Sequence, residues 1–214
     1  MAELQIIGAE PSNFVWVTRI ACTEKGVPYT LVPARPHTPE IDAIHPFGKI
    51  PAMRHGDITL CESRAICAYI DRAFDGPPLT ARDPATAAQI EQWISIVCTH
   101  IDPLWVRQYL AAYIFPGTAD GSPDRTRIDA ALPRMEPQFD VMDRAVAKTG
   151  HFVGNSFTLA DAYFLPILFY MNRMPESREL LLKRPNLKAY FDRHSARPSV
   201  RDTTPQSFPG SAPR

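Results

Sequence analysis

Three short stretches of the 214-residue sequence put chemistry-bearing side chains where the chain changes direction. In the first, Glu10-Pro11-Ser12-Asn13 precedes a helical pattern that starts at Phe14. A helix N-terminus presents unpaired N–H groups and partial positive charge, so it favours an anion. A serine hydroxyl there can donate to an anion such as a thiolate, although Ser12 and Asn13 are also ordinary capping residues. In the second, Lys49-Ile50-Pro51 opens a strand. A cis bond before Pro51 would turn the N–H and C=O of Ile50 outward, free for an extended peptide ligand. A plain edge-strand proline is the alternative, because most X-Pro bonds are trans. In the third, Cys61-Glu62-Ser63 joins a strand to a helix. The Ser63 N–H and hydroxyl can hold a carboxylate, and Glu62 can accept an ammonium group. Neighbouring anion and cation sites suit an α-amino acid moiety; a capping serine beside a solvated glutamate is the other reading.

The remaining reactive residue types form no recognisable set. Cys22, Cys61, Cys67 and Cys98 make no CxxC pair and read as reduced, inert thiols of a cytoplasmic protein. The six histidines, His37, His45, His55, His100, His151 and His194, are scattered, and no zinc-type spacing exists, so no metal site is expected. There is no Gly-rich phosphate loop and no Ser/His/Asp order.

The elements that must position these residues change character along the chain. Leu4-Gln5-Ile6-Ile7-Gly8 and Tyr29–Val32 read as strands around a helix from Phe14 to Lys25, which Gly26 and Pro28 terminate. Residues 33–46 read as loop or short irregular helix. Residues 50–54 and 58–61 form two strands around His55-Gly56-Asp57, and a helix follows from Ser63 to Phe74. The order is β-α-β-β-β-α over residues 1–75, with a linker at 76–84. From 85 to 200 the pattern is helical throughout. Pro103 should kink the long helix from Ala85 to about Phe115, and Pro133 and Pro137 should kink or break the one from Asp124 to Lys148. Thr158-Leu159-Ala160-Asp161 reads as a capping box opening a helix that is apolar nearly all round, and so central to a bundle. Two short helices complete the half. From Arg197 the chain carries four prolines and reads as a poorly packed tail, assigned as 201–214.

Composition excludes several classes. Lys plus Arg and Asp plus Glu are both 23, so no basic face for nucleic acid is indicated. No run of about 18 apolar residues occurs, so no membrane span is expected. The start lacks a basic, then apolar, leader, so no secretory signal is expected. Proline, at 22 residues, is about twice its usual ~5%.

The order of the motifs says more than any one of them. His45-Pro46-Phe47-Gly48-Lys49-Ile50-Pro51-Ala52, Cys61-Glu62-Ser63-Arg64-Ala65-Ile66 and Gly154-Asn155-Ser156-Phe157-Thr158-Leu159-Ala160-Asp161-Ala162 stand at spacings that resemble the soluble glutathione transferases. The resemblance covers residues 4 to about 195. It implies an N-terminal thioredoxin-like domain, an all-helical second domain, a homodimer, and glutathione as co-substrate in detoxification. It implies that Ser12 meets the glutathione sulfur, as in the serine-type classes. Ile50 and the cis-Pro51 would pair with the cysteinyl part, Lys49 and His37 would approach the glycyl carboxylate, and Glu62 and Ser63 would hold the γ-glutamyl end. The partner is then a small hydrophobic electrophile, in a pocket expected between the halves. Trp105, Tyr109 and Tyr113, on one helix face, are candidates for its wall, with core packing the alternative. Cysteine-type classes keep a cysteine where this chain has Ser12-Asn13-Phe14, which disfavours mixed-disulfide chemistry. A non-catalytic binding or assembly module and a glutathione-dependent isomerase or reductase are the competing functions.

Overall fold

A computed structural model describes residues 2–206. The chain divides into two compact units, one built from the residues up to Thr80 joined by the stretch from Pro198, the other from Ala81 to Arg197.

The first unit has a four-stranded sheet. β1 (Leu4–Ile7), α1 (Asn13–Lys25), β2 (Tyr29–Val32), α2 (Pro39–Asp42), β3 (Ala52–His55), β4 (Ile58–Cys61) and α3 (Ser63–Ala73) follow one another. The sheet order is β2-β1-β3-β4; β2 is parallel to β1, while β3 and β4 run antiparallel to their neighbours. The parallel pair requires a crossover, which α1 supplies. α1 stops as its sequence dictates. Gly26 takes the left-handed conformation, φ 68°, and its N–H closes on the carbonyls of Cys22 and Thr23. Beneath the loop that leads to β3, Ile7, Ile41 and Ala52 form a buried cluster against which Ile44 and Ile50 pack.

The second unit is helical wherever its described residues are regular. α4 (Pro84–Ile96) continues without a break into a π-helical stretch (Val97–Leu110) and then α5 (Ala111–Ile114). Pro103 lies inside the π-helical stretch. A proline ring removes one N–H and crowds the preceding turn, and a wider helical turn accommodates it. α6 (Arg125–Val146), α7 (Leu159–Met171), α8 (Pro175–Leu182) and α9 (Pro185–Ser195) complete the unit. Trp105 stacks on Phe139 at 4.1 Å and meets Phe164, which in turn meets Phe152 and Tyr190. α7 runs through this core with all but one of its thirteen residues buried. The capping box is formed: the Asp161 carboxylate accepts from the Thr158 N–H at 2.9 Å.

Two expectations are corrected for identifiable reasons. α6 is not broken at Pro133 and Pro137. These residues stand four apart and both are exposed, so the missing backbone bonds fall on the solvent side, where a freed carbonyl costs least. The stretch after Arg197 is not loose as far as it is described. α10 (Pro198–Arg201) and the turn after it bury Ser199, Val200 and Thr203, and Thr203 Oγ1 accepts a 2.8 Å bond from the Trp16 indole N–H. Residues 198–200, read from sequence as part of the helical half, therefore pack with the first unit. Residues 207–214, the rest of the expected tail, lie outside the described residues. The prolines have a use that composition alone does not reveal: five helices, α2, α4, α8, α9 and α10, begin on one. At that position the missing N–H costs nothing and φ is already helical.

Candidate active site

The register of the sheet collects the candidate residues at one end of it. Val32 pairs with Ile7, Ile7 with Ala52, and Ala52 with Cys61, so these four form one row across all four strands. Every candidate in the first unit lies just beyond that row. Ser12 is five residues after Ile7 and His37 five after Val32; Lys49-Ile50-Pro51 immediately precedes Ala52, and Glu62-Ser63 immediately follows Cys61. Strands are spaced ~4.8 Å apart, so the rim from β1 to β4 spans about 10 Å, roughly the length of three extended residues.

Each position has a local cause. Ser12 has extended backbone and caps α1, its Oγ accepting from the Val15 N–H at 3.5 Å. That bond is long, and it uses only an acceptor lone pair of the hydroxyl. Both helices start on this rim with no acidic side chain in their first turn, α1 capped by Ser12 and α3 preceded by Glu62. A Cβ on Gly8 would stand 2.5 Å from Val15 and 3.3 Å from Ile50, so the turn from β1 to α1 needs a glycine to close on both.

The Ile50–Pro51 bond is cis. Ile50 lies outside the ladder, and among the described residues neither its N–H nor its C=O meets a backbone partner. Lys49 is exposed. His37 is exposed with φ 60°, its N–H donating to the Gly48 carbonyl at 2.8 Å and its ring 3.9 Å from Asp42. A Cβ on Gly48 would fall 2.3 Å from the His37 ring, which explains why glycine stands there.

Glu62 has φ 66° and ψ 117°, a backbone state that only glycine adopts easily. This turn sends β4 directly into α3 and leaves Glu62 exposed beside the buried Ser63. Glu62 has a partner that its own motif does not contain. The structure supplies His45, whose Nε2 is 3.4 Å from the Glu62 carboxylate. His45 Nδ1 accepts from the Phe47 N–H at 3.1 Å, so the proton sits on Nε2, facing Glu62. His45 opens the motif that contains Lys49 and Pro51, but nothing in that spacing points to a residue after another strand.

The aromatic candidates of the second unit do not form an open wall. Trp105 and Tyr109 are fully buried, and Trp105 is core by virtue of its stack on Phe139. The Tyr109 hydroxyl donates to Glu176 at 2.9 Å and accepts from the Ser177 N–H at 3.1 Å. Tyr113, only part-buried, also donates to Glu176, which Arg125 pairs from the other side. Burial raises both phenols, Tyr113 to about 12. Burial likewise opposes the charge on Glu176, but hydrogen bonds from Tyr113, Arg125 and Tyr109 outweigh it and hold the carboxyl down to about 2. This is a structural polar network, and core packing replaces the pocket reading for Trp105 and Tyr109. Cys22 is inert, since burial pushes its thiol far up.

The rim thus offers a hydroxyl on a helix N-terminus, an unpaired peptide unit, basic groups, and a carboxylate next to a second helix N-terminus. A short zwitterionic peptide with a nucleophilic or anionic centre matches that order. Comparison with known proteins agrees. The glutathione S-transferase N-terminal domain profile matches residues 6–78, and the C-terminal domain profile matches residues 102–198. Glutathione S-transferase 3 of Zea mays is 30% identical over 210 residues, covering 95% of this chain and 94% of the relative. A glutathione transferase from Populus trichocarpa superposes with a TM-score of 0.87 at 27% identity, over 96% of this chain and all of the other. Glutathione S-transferase I from maize, solved with an atrazine glutathione conjugate, gives 0.83 at 26% identity over 94% and 96%. Motif order, sheet register and similarity over nearly the whole length converge, and the chain belongs to the glutathione S-transferase family.

Proposed function

We propose that this transferase ionises the thiol of bound glutathione at Ser12 and the N-terminus of α1, and delivers the thiolate to a small hydrophobic electrophile. The single observation that carries the reading is the row Val32–Ile7–Ala52–Cys61, because it brings all seven first-unit candidates to one rim. Ile50 pairs through its backbone with the cysteinyl unit beside Pro51. Glu62, backed by His45, takes the γ-glutamyl ammonium, and Ser63 with the N-terminus of α3 takes its carboxylate. Lys49 and His37 neutralise the glycyl carboxylate. The nucleophile is the sulfur of glutathione, and the chain supplies orientation and charge. Conjugation forms a carbon–sulfur bond and expels the leaving group of the electrophile, or adds across an activated double bond. The atrazine conjugate held by the maize relative supports a hydrophobic electrophile. A homodimer and a cytoplasmic location belong to the same reading; among the described residues, no helix is long and apolar enough to cross a membrane.

The test is calorimetric titration of the full chain with reduced glutathione, followed by mass spectrometry of products from a panel of chloro-triazine, chloro-nitrobenzene and enone electrophiles. Binding that Glu62→Ala weakens at least tenfold, together with S-conjugates, is expected. No binding at millimolar glutathione would overturn the reading in favour of a non-catalytic module. Turnover on dienones or disulfides exceeding every conjugation would replace it with an isomerase or reductase.

A further inference from the structure

The helical unit contains a second constellation, assembled from three segments distant in sequence. His151 lies in the connection before α7, Asp161 in the first turn of α7, and His194 in the last turn of α9. One donor atom of each lies within 4.8 Å of the other two. Sequence reading found no metal spacing among the histidines because these residues are 10 and 33 positions apart, and only tertiary packing joins them.

The hydrogen bonding leaves donors facing inward. His194 is fully buried and its Nε2 is 2.8 Å from the Gly150 carbonyl. A carbonyl only accepts, so Nε2 carries the proton and Nδ1 of the neutral ring presents a bare lone pair. That Nδ1 is buried and without a hydrogen-bond partner. His151 Nδ1 is also buried without one, 3.9 Å from Asp161 Oδ2, and the two rings are 4.8 Å apart in a T-shaped arrangement. Asp161 accepts from the Phe152 N–H, the Thr158 N–H and the Thr158 hydroxyl, which occupies three of about four lone-pair directions on a carboxylate. The buried Tyr190 hydroxyl lies against the same carboxylate and interacts with it. Buried polar atoms without partners are uncommon and call for an explanation. Here two, the Nδ1 atoms of His151 and His194, meet at one point.

We propose that His151, His194 and Asp161 form a binding site for a borderline first-row dication of the Zn2+ type, which ties the connection before α7 and the end of α9 to the first turn of α7. Two imidazole nitrogens and one carboxylate oxygen are a ligand set that Zn2+ takes with a fourth position left for water. The bond from His194 Nε2 to a backbone carbonyl is the outer contact that orients a ligating histidine. Donors no more than 4.8 Å from one another stand at most about 2.8 Å from a common centre, and Zn–N and Zn–O bonds are about 2.0–2.1 Å, so each must move in by at most roughly 0.7 Å. Arg193 and Arg197 are the nearby cations. Arg193 donates to the Thr149 carbonyl and Arg197 lies over the Phe157 ring at 4.3 Å. Their charge opposes every dication alike; the donor set of two imidazole nitrogens and a single carboxylate is what selects against Mg2+ and Ca2+, which need several oxygens, and favours a metal that bonds nitrogen lone pairs.

The test uses the full chain after chelator treatment, without glutathione or other thiols, titrated with Zn2+, Co2+ and Mg2+. Expected are one equivalent of Zn2+ bound, a tetrahedral Co2+ visible spectrum lacking sulfur charge-transfer bands, a Tm raised by several degrees at about 100-fold excess over Kd, and no response to Mg2+. His151→Gln, at the least buried ligand, should weaken Co2+ binding at least tenfold while leaving the metal-free Tm within about two degrees. His194→Gln should do the same if it folds. Absence of a tetrahedral Co2+ spectrum or of a Zn2+-dependent Tm rise in the wild-type chain overturns the proposal. So does binding that His151→Gln leaves unchanged, which would place the metal on the cysteines or on surface groups.

Discussion

On the proposed mechanism, removing the Ser12 hydroxyl isolates one component of thiolate stabilisation. A free thiol has pKa ≈ 8.5 and is about 3% ionised at pH 7; at pKa 6.5 about three quarters is ionised, which takes about 2.7 kcal/mol. Two features of the rim can supply this. A charge-assisted hydrogen bond from the Ser12 hydroxyl is worth about 1.5–3 kcal/mol, and the N-terminus of α1 about 0.3–2. Ser12→Ala keeps the second and loses the first, so the bound thiol should rise by about 1–2 pKa units. The fold should barely register the change, since the cap bond is 3.5 Å long and its loss costs about 0.5 kcal/mol. Attack rates should shift along the pH axis instead of falling uniformly. Ionisation at pH 7 drops roughly 3- to 25-fold, but the more basic thiolate is a better nucleophile with a Brønsted slope of about 0.4–0.5. Losses at pH 7 should therefore be only a few-fold from this cause and should vanish, or reverse, above pH 9. The assay is ultraviolet thiolate absorbance of the glutathione complex against pH, paired with the pH profile of kcat/KM. An unchanged thiol pKa with a uniform rate loss would refute the electrostatic role and leave Ser12 a positioning cap.

Three further outcomes follow from the packing. Trp105→Ala should cost about 3–5 kcal/mol in urea unfolding, because its ring stacks on Phe139 in the interior; a small stability change with a raised KM for electrophile would restore the pocket reading. Thr203→Val should cost about 1–3 kcal/mol by removing the hydroxyl that the buried Trp16 N–H donates to, and an unchanged Tm would mean that this bond is not needed by the first unit. Glu176 has a depressed carboxyl, so its stabilisation is present above about pH 4.5 and is lost as pH falls toward about 2. Glu176→Gln should remove roughly 1–2 kcal/mol, after allowance for solvent screening, of the stability lost between pH 5 and 3, and parallel acid-unfolding curves for the two proteins would contradict that assignment.

Local rules account for the features that are legible along the chain. Strand and helix order, the Gly26 stop, the Ser12 cap and the Thr158–Asp161 box depend on residues within four positions of one another, where backbone sterics and short hydrogen bonds decide. The candidate site was legible for the same reason: its proposed residues sit in short motifs at element ends, and motif order stood in for the three-dimensional rim. The row Val32–Ile7–Ala52–Cys61 that makes those ends adjacent is a property of strand pairing, which no single motif contains. Tertiary structure alone decided the rest. Trp105 and Tyr109 repeat at helical spacing, as a pocket wall or a core stripe equally would, and only the position of Phe139 and Glu176 selects the core. Pro133 and Pro137 leave α6 intact because their face meets solvent. The stretch from Pro198 is held because the indole of Trp16, 187 positions away from Thr203, requires a partner. His151, Asp161 and His194 became neighbours for the same physical reason: packing, unlike periodicity, is blind to sequence distance.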